Sequence, residues 1–342
     1  MREISVQKVV LALGVACGVS LVAGTTLAAE KIKFTLDWKY EGPAGPFLLA
    51  QDKGYFAAEG IDVTIDTGNG SAGAVTRVAS GAYDIAMADL NSLVEFNVQN
   101  PGRNLKSFFV IYNEPPFSLF TLKKSGIKTP KDLEGKTLGA PVFDAPRKLF
   151  PAFAQATGID ASKIKWESMD PPLREPMLMR GQVDAISGFY FTSLLNLKSQ
   201  GVKLEDLTVF QYVDFGMAFY GNGLIASPAL TKDKPALLKG FAKAVIKGFR
   251  DSIKDPKAAI DALKKRDPLI NPEIELERLN LAMKASVVTA EVKENGMGPI
   301  KKDRMAKAID QLVVAFKLAS VPTVDDIFTD VAMPDKADRM LQ

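Results

Sequence analysis

From Lys31 onward, short apolar runs alternate with longer amphipathic stretches, and the alternation occurs in two successive blocks. No other feature constrains the fold as strongly. Repeated strand–helix–strand units pack as a mainly parallel sheet with helices on both faces. In the first block, residues 31–38 read as a strand, since Ile32, Phe34 and Leu36 alternate with polar neighbours. Gly42-Pro43-Ala44-Gly45-Pro46 then breaks the chain. A helix over 47–53 ends at Gly54, a strand covers 61–65, and a helix over 71–80 starts after the turn Gly68-Asn69-Gly70-Ser71. A strand at 83–88 leads into a helix over 89–97 with Asp89 as its N-cap. The second block repeats the theme: strand 137–141, helix 144–157, strand 164–168, helix 175–180, strand 185–188. Charge-rich helices are expected over 230–254, 257–265, 273–288 and 302–318, with plain solvated outer faces. Two similar blocks predict two αβ lobes, and a cleft between lobes is the ordinary place for a small ligand.

The first 28 residues have the pattern of an export signal. Arg2 and Lys8 precede an apolar run over 9–22, and Thr26-Leu27-Ala28 offers a cleavage site before Ala29. A membrane anchor is the other reading, but the run is short for a span and no positive cluster follows it. Cys17 raises lipid anchoring as a lesser option, because Gly14 stands where a lipobox usually has Leu. Removing residues 1–28 takes away Arg2, Lys8 and Glu3 and lowers the formal charge from +3 to +2. So balanced a chain lacks the basic face that a nucleic-acid partner requires. Cys17 is the single cysteine, so no internal disulfide can form.

The histidine count is zero. That excludes Ser-His and Cys-His nucleophilic pairs, histidine general bases and histidine-ligated metals, and no metal site or cofactor is expected. Carboxylate and lysine chemistry remain formally open.

A set of short segments in fixed order carries a family resemblance: Leu36-Asp37-Trp38, Gly54-Tyr55-Phe56, Glu59-Gly60-Ile61-Asp62-Val63 and Gly81-Ala82-Tyr83-Asp84-Ile85-Ala86. The set continues through 127–137 and Arg180-Gly181-Gln182-Val183-Asp184-Ala185. It resembles the periplasmic binding proteins for thiamine pyrimidine precursors, alkanesulfonates, taurine and nitrate. The resemblance implies a type II periplasmic-binding fold, with lobe 1 at 29–119 and 221–342 and lobe 2 at 120–220. It also implies a periplasmic, monomeric protein that hands a small molecule to an ABC permease and its ATPase. Leu-Asp-Trp is most typical of the pyrimidine-precursor branch. The stretch after Trp38, Lys39-Tyr40-Glu41-Gly42-Pro43, has no matching Asn or His. A ligand anion (alkanesulfonate, taurine or aromatic acid) is the alternative. A second alternative is an enzyme of pyrimidine-precursor synthesis; the family's version of that chemistry uses a histidine and a cysteine-rich segment, which this chain lacks.

The candidate ligand residues lie at strand ends, where open α/β sheets place ligands. Trp38 offers a face for stacking a flat ring, with Asp37 and Tyr40 beside it; a core aromatic and a turn cap are the plainer readings of Trp38 and Asp37. Gly70, Ser71 and Ala72 begin a helix whose N–H groups could hold an oxyanion, or simply be capped. Asp89 could face the ligand or only cap its helix. Asn113 and Phe117 precede the crossing to lobe 2, where Phe117 is either a cleft wall or hinge packing. From lobe 2 come Phe143, Asp144, Arg147, Asp170, Phe189 and Tyr190. Arg147 could clamp an anion or pair locally, and Arg174 next to Glu175 reads as a local ion pair. The many rings favour a planar, ring-containing ligand over a small anion.

Overall fold

The computed structural model describes residues 28–217 and 219–341. The expected export signal and Cys17 fall, apart from Ala28, outside the described residues. The chain enters β1 (Glu30–Thr35), turns through α1 (Gly45–Asp52) and pairs β2 (Ile61–Asp66) parallel to β1. Gly54, with φ +70°, supplies the left-handed turn after α1 that residues with a Cβ resist. Helix α2 (Ser71–Ala79) leads to β3 (Ile85–Asp89), which is parallel to β1. Asp89 accepts from the Ser92 amide as the cap of α3 (Leu90–Gln99), and β4 (Lys106–Val110) follows.

The chain then starts a second sheet with β5 (Phe117–Leu122) and β6 (Thr137–Ala140). The single helix expected over 144–157 is two pieces, α4 (Ala145–Lys148) and α5 (Phe150–Thr157). Pro151 is the cause: it has no N–H to bond back into the preceding turn, so it sits in the first turn of a new helix. Next come β7 (Lys165–Ser168), α6 (Arg174–Met179), β8 (Ala185–Phe189), α7 (Tyr190–Ser199) and β9 (Leu207–Gln211). The chain returns to the first sheet as β10 (Asn222–Ala226) and ends in helices that include α8 (Pro235–Lys254), α9 (Pro256–Arg266), α10 (Pro272–Ala282) and α11 (Lys302–Phe316).

The sheet orders are β2-β1-β3-β10-β4 and β7-β6-β8-β5-β9. The two lobes are therefore built alike, but their sheets are mixed rather than mainly parallel. In each, the fourth strand of the row runs antiparallel to both neighbours: β10 against β3 and β4, β5 against β8 and β9. These are the strands that follow the two crossings between lobes.

One core lies under the first sheet, where Phe34 meets Phe47 and Phe241 at centroid distances of 5.3 and 5.2 Å. Full burial of such a side chain contributes about 1.5–3 kcal/mol. A second core under β5 and β8 holds Phe120, Ile186 and Leu195. A third joins the lobes, with Ala86, Ala88 and Val110 of the first sheet, Phe117 and Leu138 of the second, and Leu312 of α11. Among the described residues no helix is long and apolar enough to cross a membrane.

Candidate functional site

The ends of β1 and β8 face each other across the cleft between the sheets. Two adjoining cavities lie there. Asp37, Trp38, Gly70, Ser71, Asp144, Ala145, Arg174, Phe189 and Thr192 line the first. The second extends past Trp38 to Lys39, Glu41, Met87, Tyr112 and Phe191. Their volumes are about 20 and 30 Å³, room for a water molecule or two in each. With the lobes in this arrangement, neither cavity has room for a ring-sized molecule.

Asp37 is buried at the end of β1. Its carboxylate accepts from Ser71 Oγ at 3.0 Å and from Asn222 Nδ2 at 2.6 Å, both neutral donors. Burial raises its pKa to about 6; the bonds from Asn222 and Ser71 oppose the rise, and Asp144 adds to it. Asp144 faces the same cavity from lobe 2. It caps α4 through the Arg147 amide and accepts from Ser187 Oγ at 2.6 Å. Burial also raises its pKa, against the pull of Arg174.

Arg174 is the residue that sequence reasoning underrated. It does pair with Glu175, Nε donating to Oε1 at 2.9 Å, and its Nη1 reaches Asp144 Oδ1 at 3.5 Å. Yet it is only 1% exposed, and its guanidinium lies over the Trp38 ring, 5.0 Å from the centroid. Burial disfavours its charge, but Glu175 and Asp144 more than offset this and its pKa is raised. Thr192, Glu41 and Tyr112 were also missed. No spacing signal marks them; Glu41 and Thr192 meet where the Gly-Pro turn packs on α7, and Tyr112 follows β4.

Of the expected residues, Asp37, Trp38, Gly70, Ser71, Asp144 and Phe189 converge on the cavities. Phe143 packs on the first lobe at the cleft edge: its carbonyl accepts from the Ala72 amide at 3.3 Å, and a Cβ on Gly70 would collide with it. Gly70 also holds φ +138°, so glycine is required there on two counts.

The structure does not bring the other expected residues to the cavities. Tyr40 turns away and donates its hydroxyl to the Ile65 carbonyl at 2.7 Å. Asp89 is wholly buried and spent on Ser92 and Asn91, with its pKa pushed by burial to about 7. Asn113 belongs to a polar cluster with Thr289, Glu291 and Arg304. Phe117 is core, packed on Phe189 and Tyr212. Arg147 stacks on Trp166 and donates to the Ala140 carbonyl. Asp170 is exposed at the start of a short 3-10 turn. Tyr190 lies nearly parallel to Phe120, 17° between planes and 6.5 Å between centroids. Except for the exposed Asp170, each is claimed by partners outside the cavities.

Known proteins resemble the chain in sequence and in fold. The chain is 26% identical to the formylaminopyrimidine-binding protein of Halalkalibacterium halodurans over 80% of each chain. It is 25% identical to the 4-amino-5-hydroxymethyl-2-methylpyrimidine phosphate synthase of Legionella pneumophila, over 70% of this chain and 74% of that one. Among solved structures, the alkanesulfonate-binding protein SsuA of Xanthomonas axonopodis pv. citri, bound to MOPS, superposes with a TM-score of 0.68 at 13% identity, covering 89% of this chain and 99% of that one. That likeness shows the fold, the two-lobed architecture of periplasmic binding proteins. A family profile described as "NMT1/THI5 like" matches residues 44–259, and the chain belongs to the NMT1/THI5-like family.

Proposed function

We propose that this protein is the solute-binding component of an ABC importer, and that it captures a small planar ring bearing amino or cationic nitrogen. The observation that carries the reading is Asp37: a buried carboxylate at the cleft, beside the Trp38 ring, with only neutral partners of its own. Such a group binds a ligand that brings N–H donors or positive charge. Asp144 adds a second acceptor from the opposite lobe, and Trp38 with Phe189 supplies apolar faces for a ring. The similarity to a formylaminopyrimidine-binding protein supports the same ligand class.

In this reading the lobes are 29–119 with 221–342, and 120–220. The ligand favours the closed form because only there does it touch both lobes. The partners are a permease and its ATPase, the protein acts as a monomer in the periplasm, and it performs no chemistry. The absence of histidine, with Cys17 as sole cysteine, supports binding over the synthase activity of its relatives. An anionic ligand is the second reading, favoured by Arg174 at the cavity; its charge, however, is already matched by Glu175 and Asp144.

A thermal-shift screen tests the proposal, because a ligand that binds only the folded state raises the melting temperature by mass action. Aminopyrimidines are expected to stabilise the protein. Stabilisation by taurine or alkanesulfonates alone overturns the reading.

A further inference from the structure

At the wall of the second cavity, one carboxylate ties the Trp38 ring to the opposite lobe. Glu41 Oε1 accepts from Trp38 Nε1 at 3.2 Å, and Oε2 accepts from Thr192 Oγ1 of α7 at 2.9 Å. Arg278 of α10 stands 3.6 Å from the same Oε2.

Arg278 is 2% exposed, and all five of its N–H groups are used. Two go to Glu275, from Nε at 2.9 Å and Nη2 at 3.1 Å. Three go to α7: the Phe191 and Thr192 carbonyls at 3.0 and 2.7 Å, and Asn196 Oδ1 at 2.8 Å. Glu275 in turn accepts from the Gly42 amide at 2.6 Å, next to Glu41. The Gly-Pro turn of lobe 1, α10 and the first turns of α7 are therefore one connected network. At the surface end, Lys198 of α7 pairs with Glu277 of α10 at 2.6 Å.

We propose that Glu41, Thr192 and Arg278 form a latch that holds the lobes shut by protein contacts alone, with Glu41 as the positioning residue that couples closure to the Trp38 ring. Charge-assisted bonds of this kind are short and strong in a buried setting. A ligand then needs only to add to a closure that the protein already favours, and its apparent affinity depends on how much closed form exists beforehand. The coupling to Trp38 rests on the cleft reading given above; the closing action does not.

The test reads the lobes with no ligand added, so its outcome is separate from the ligand question. Full-length Cys17→Ser protein carries spin labels at Asp62→Cys and Lys165→Cys, exposed positions on the outer strands β2 and β7. Pulsed dipolar spectroscopy gives the distance between them. The parent is expected to show one dominant short distance. Thr192→Val, which removes one hydroxyl and keeps the shape, is expected to raise the open-to-closed ratio roughly tenfold, as loss of one bond to a charged group implies. Thr192→Ser restores the parent distribution. Arg278→Met opens the lobes further; should it fail to fold, Thr192→Val and Glu41→Gln decide the matter. In a Trp166→Phe background Trp38 is the only tryptophan, and Glu41→Gln is expected to shift its emission. Identical distance distributions in the parent, Thr192→Val and Glu41→Gln overturn the latch.

Discussion

The guanidinium of Arg174 caps the Trp38 indole from the opposite lobe, with 5.0 Å between its central carbon and the ring centroid. One face of the ring is thus covered by a cation when the lobes are shut, and an incoming ring must share that stack or displace it. Trp38→Ala is expected to weaken binding of an aminopyrimidine by about 1–3 kcal/mol, through lost ring burial and stacking. Isothermal calorimetry checks this, and unchanged affinity removes Trp38 from the site.

Arg174 and Arg147 of lobe 2 should behave differently. Arg174→Met leaves Asp144 and Glu175 buried without their cation and is expected to cost about 3–5 kcal/mol of stability. Arg147→Met loses a partly exposed stack on Trp166 and should cost about 1 kcal/mol. Urea unfolding of the two variants gives the comparison, and equal losses contradict the assignment of Arg174 to the interior.

Asp37 makes stability depend on pH in a defined direction. Its folded pKa, about 6, lies above the usual aspartate value, so the folded state holds a proton that the unfolded state has released. The resulting stabilisation is fully present below about pH 4 and is lost as pH rises through about 6. Asp89, raised by burial to about 7, acts in the same direction. Asp37→Asn keeps an acceptor for Ser71 and Asn222 but cannot ionise. Its loss of stability between pH 4.5 and 7.5 should be smaller than the parent's, by about 2 kcal/mol. Denaturant midpoints at the two pH values measure it; parallel losses in both proteins contradict the shift.

Gly70→Ala puts a methyl group where the backbone of Phe143 sits and imposes a side chain on φ +138°. Backbone strain of this kind costs about 1–3 kcal/mol. Part of it can be relieved by parting the lobes, so small-angle scattering should show a larger radius of gyration than the parent's. An unchanged radius together with unchanged ligand affinity contradicts the close approach at Gly70.

Local pattern carried much of the architecture. The parallel strands β1, β2, β3, β6, β7 and β8 were legible because each alternates or runs apolar between turn signals, and Asp89 and Asp144 were legible as caps. The strands β4, β5, β9 and β10 were not read, and with them the antiparallel half of each sheet. The reversed direction of β5 and β10 is set by where the chain crosses between lobes, a long-range fact that no window of residues contains. The site divides along the same line. Asp37 and Trp38 stand at a strand end before a Gly-Pro break, so their place follows from local rules. Arg174 looked like half of a local pair, because its sequence neighbour Glu175 does accept from it; only the fold shows the other face of the guanidinium on a ring far away in sequence. Tyr40 and Asp89 mislead for the opposite reason, since nearby carbonyls and amides claim them.

The position of β10 has a consequence for the order in which the molecule is made. It lies inside the first sheet, between β3 and β4, yet it leaves the ribosome after every strand of the second sheet. The second sheet can therefore assemble while the first is still missing an inner member, with β4 waiting unpaired as a sticky border. A nascent chain halted before Asn222 should hold one finished half and one that readily sticks to its neighbours.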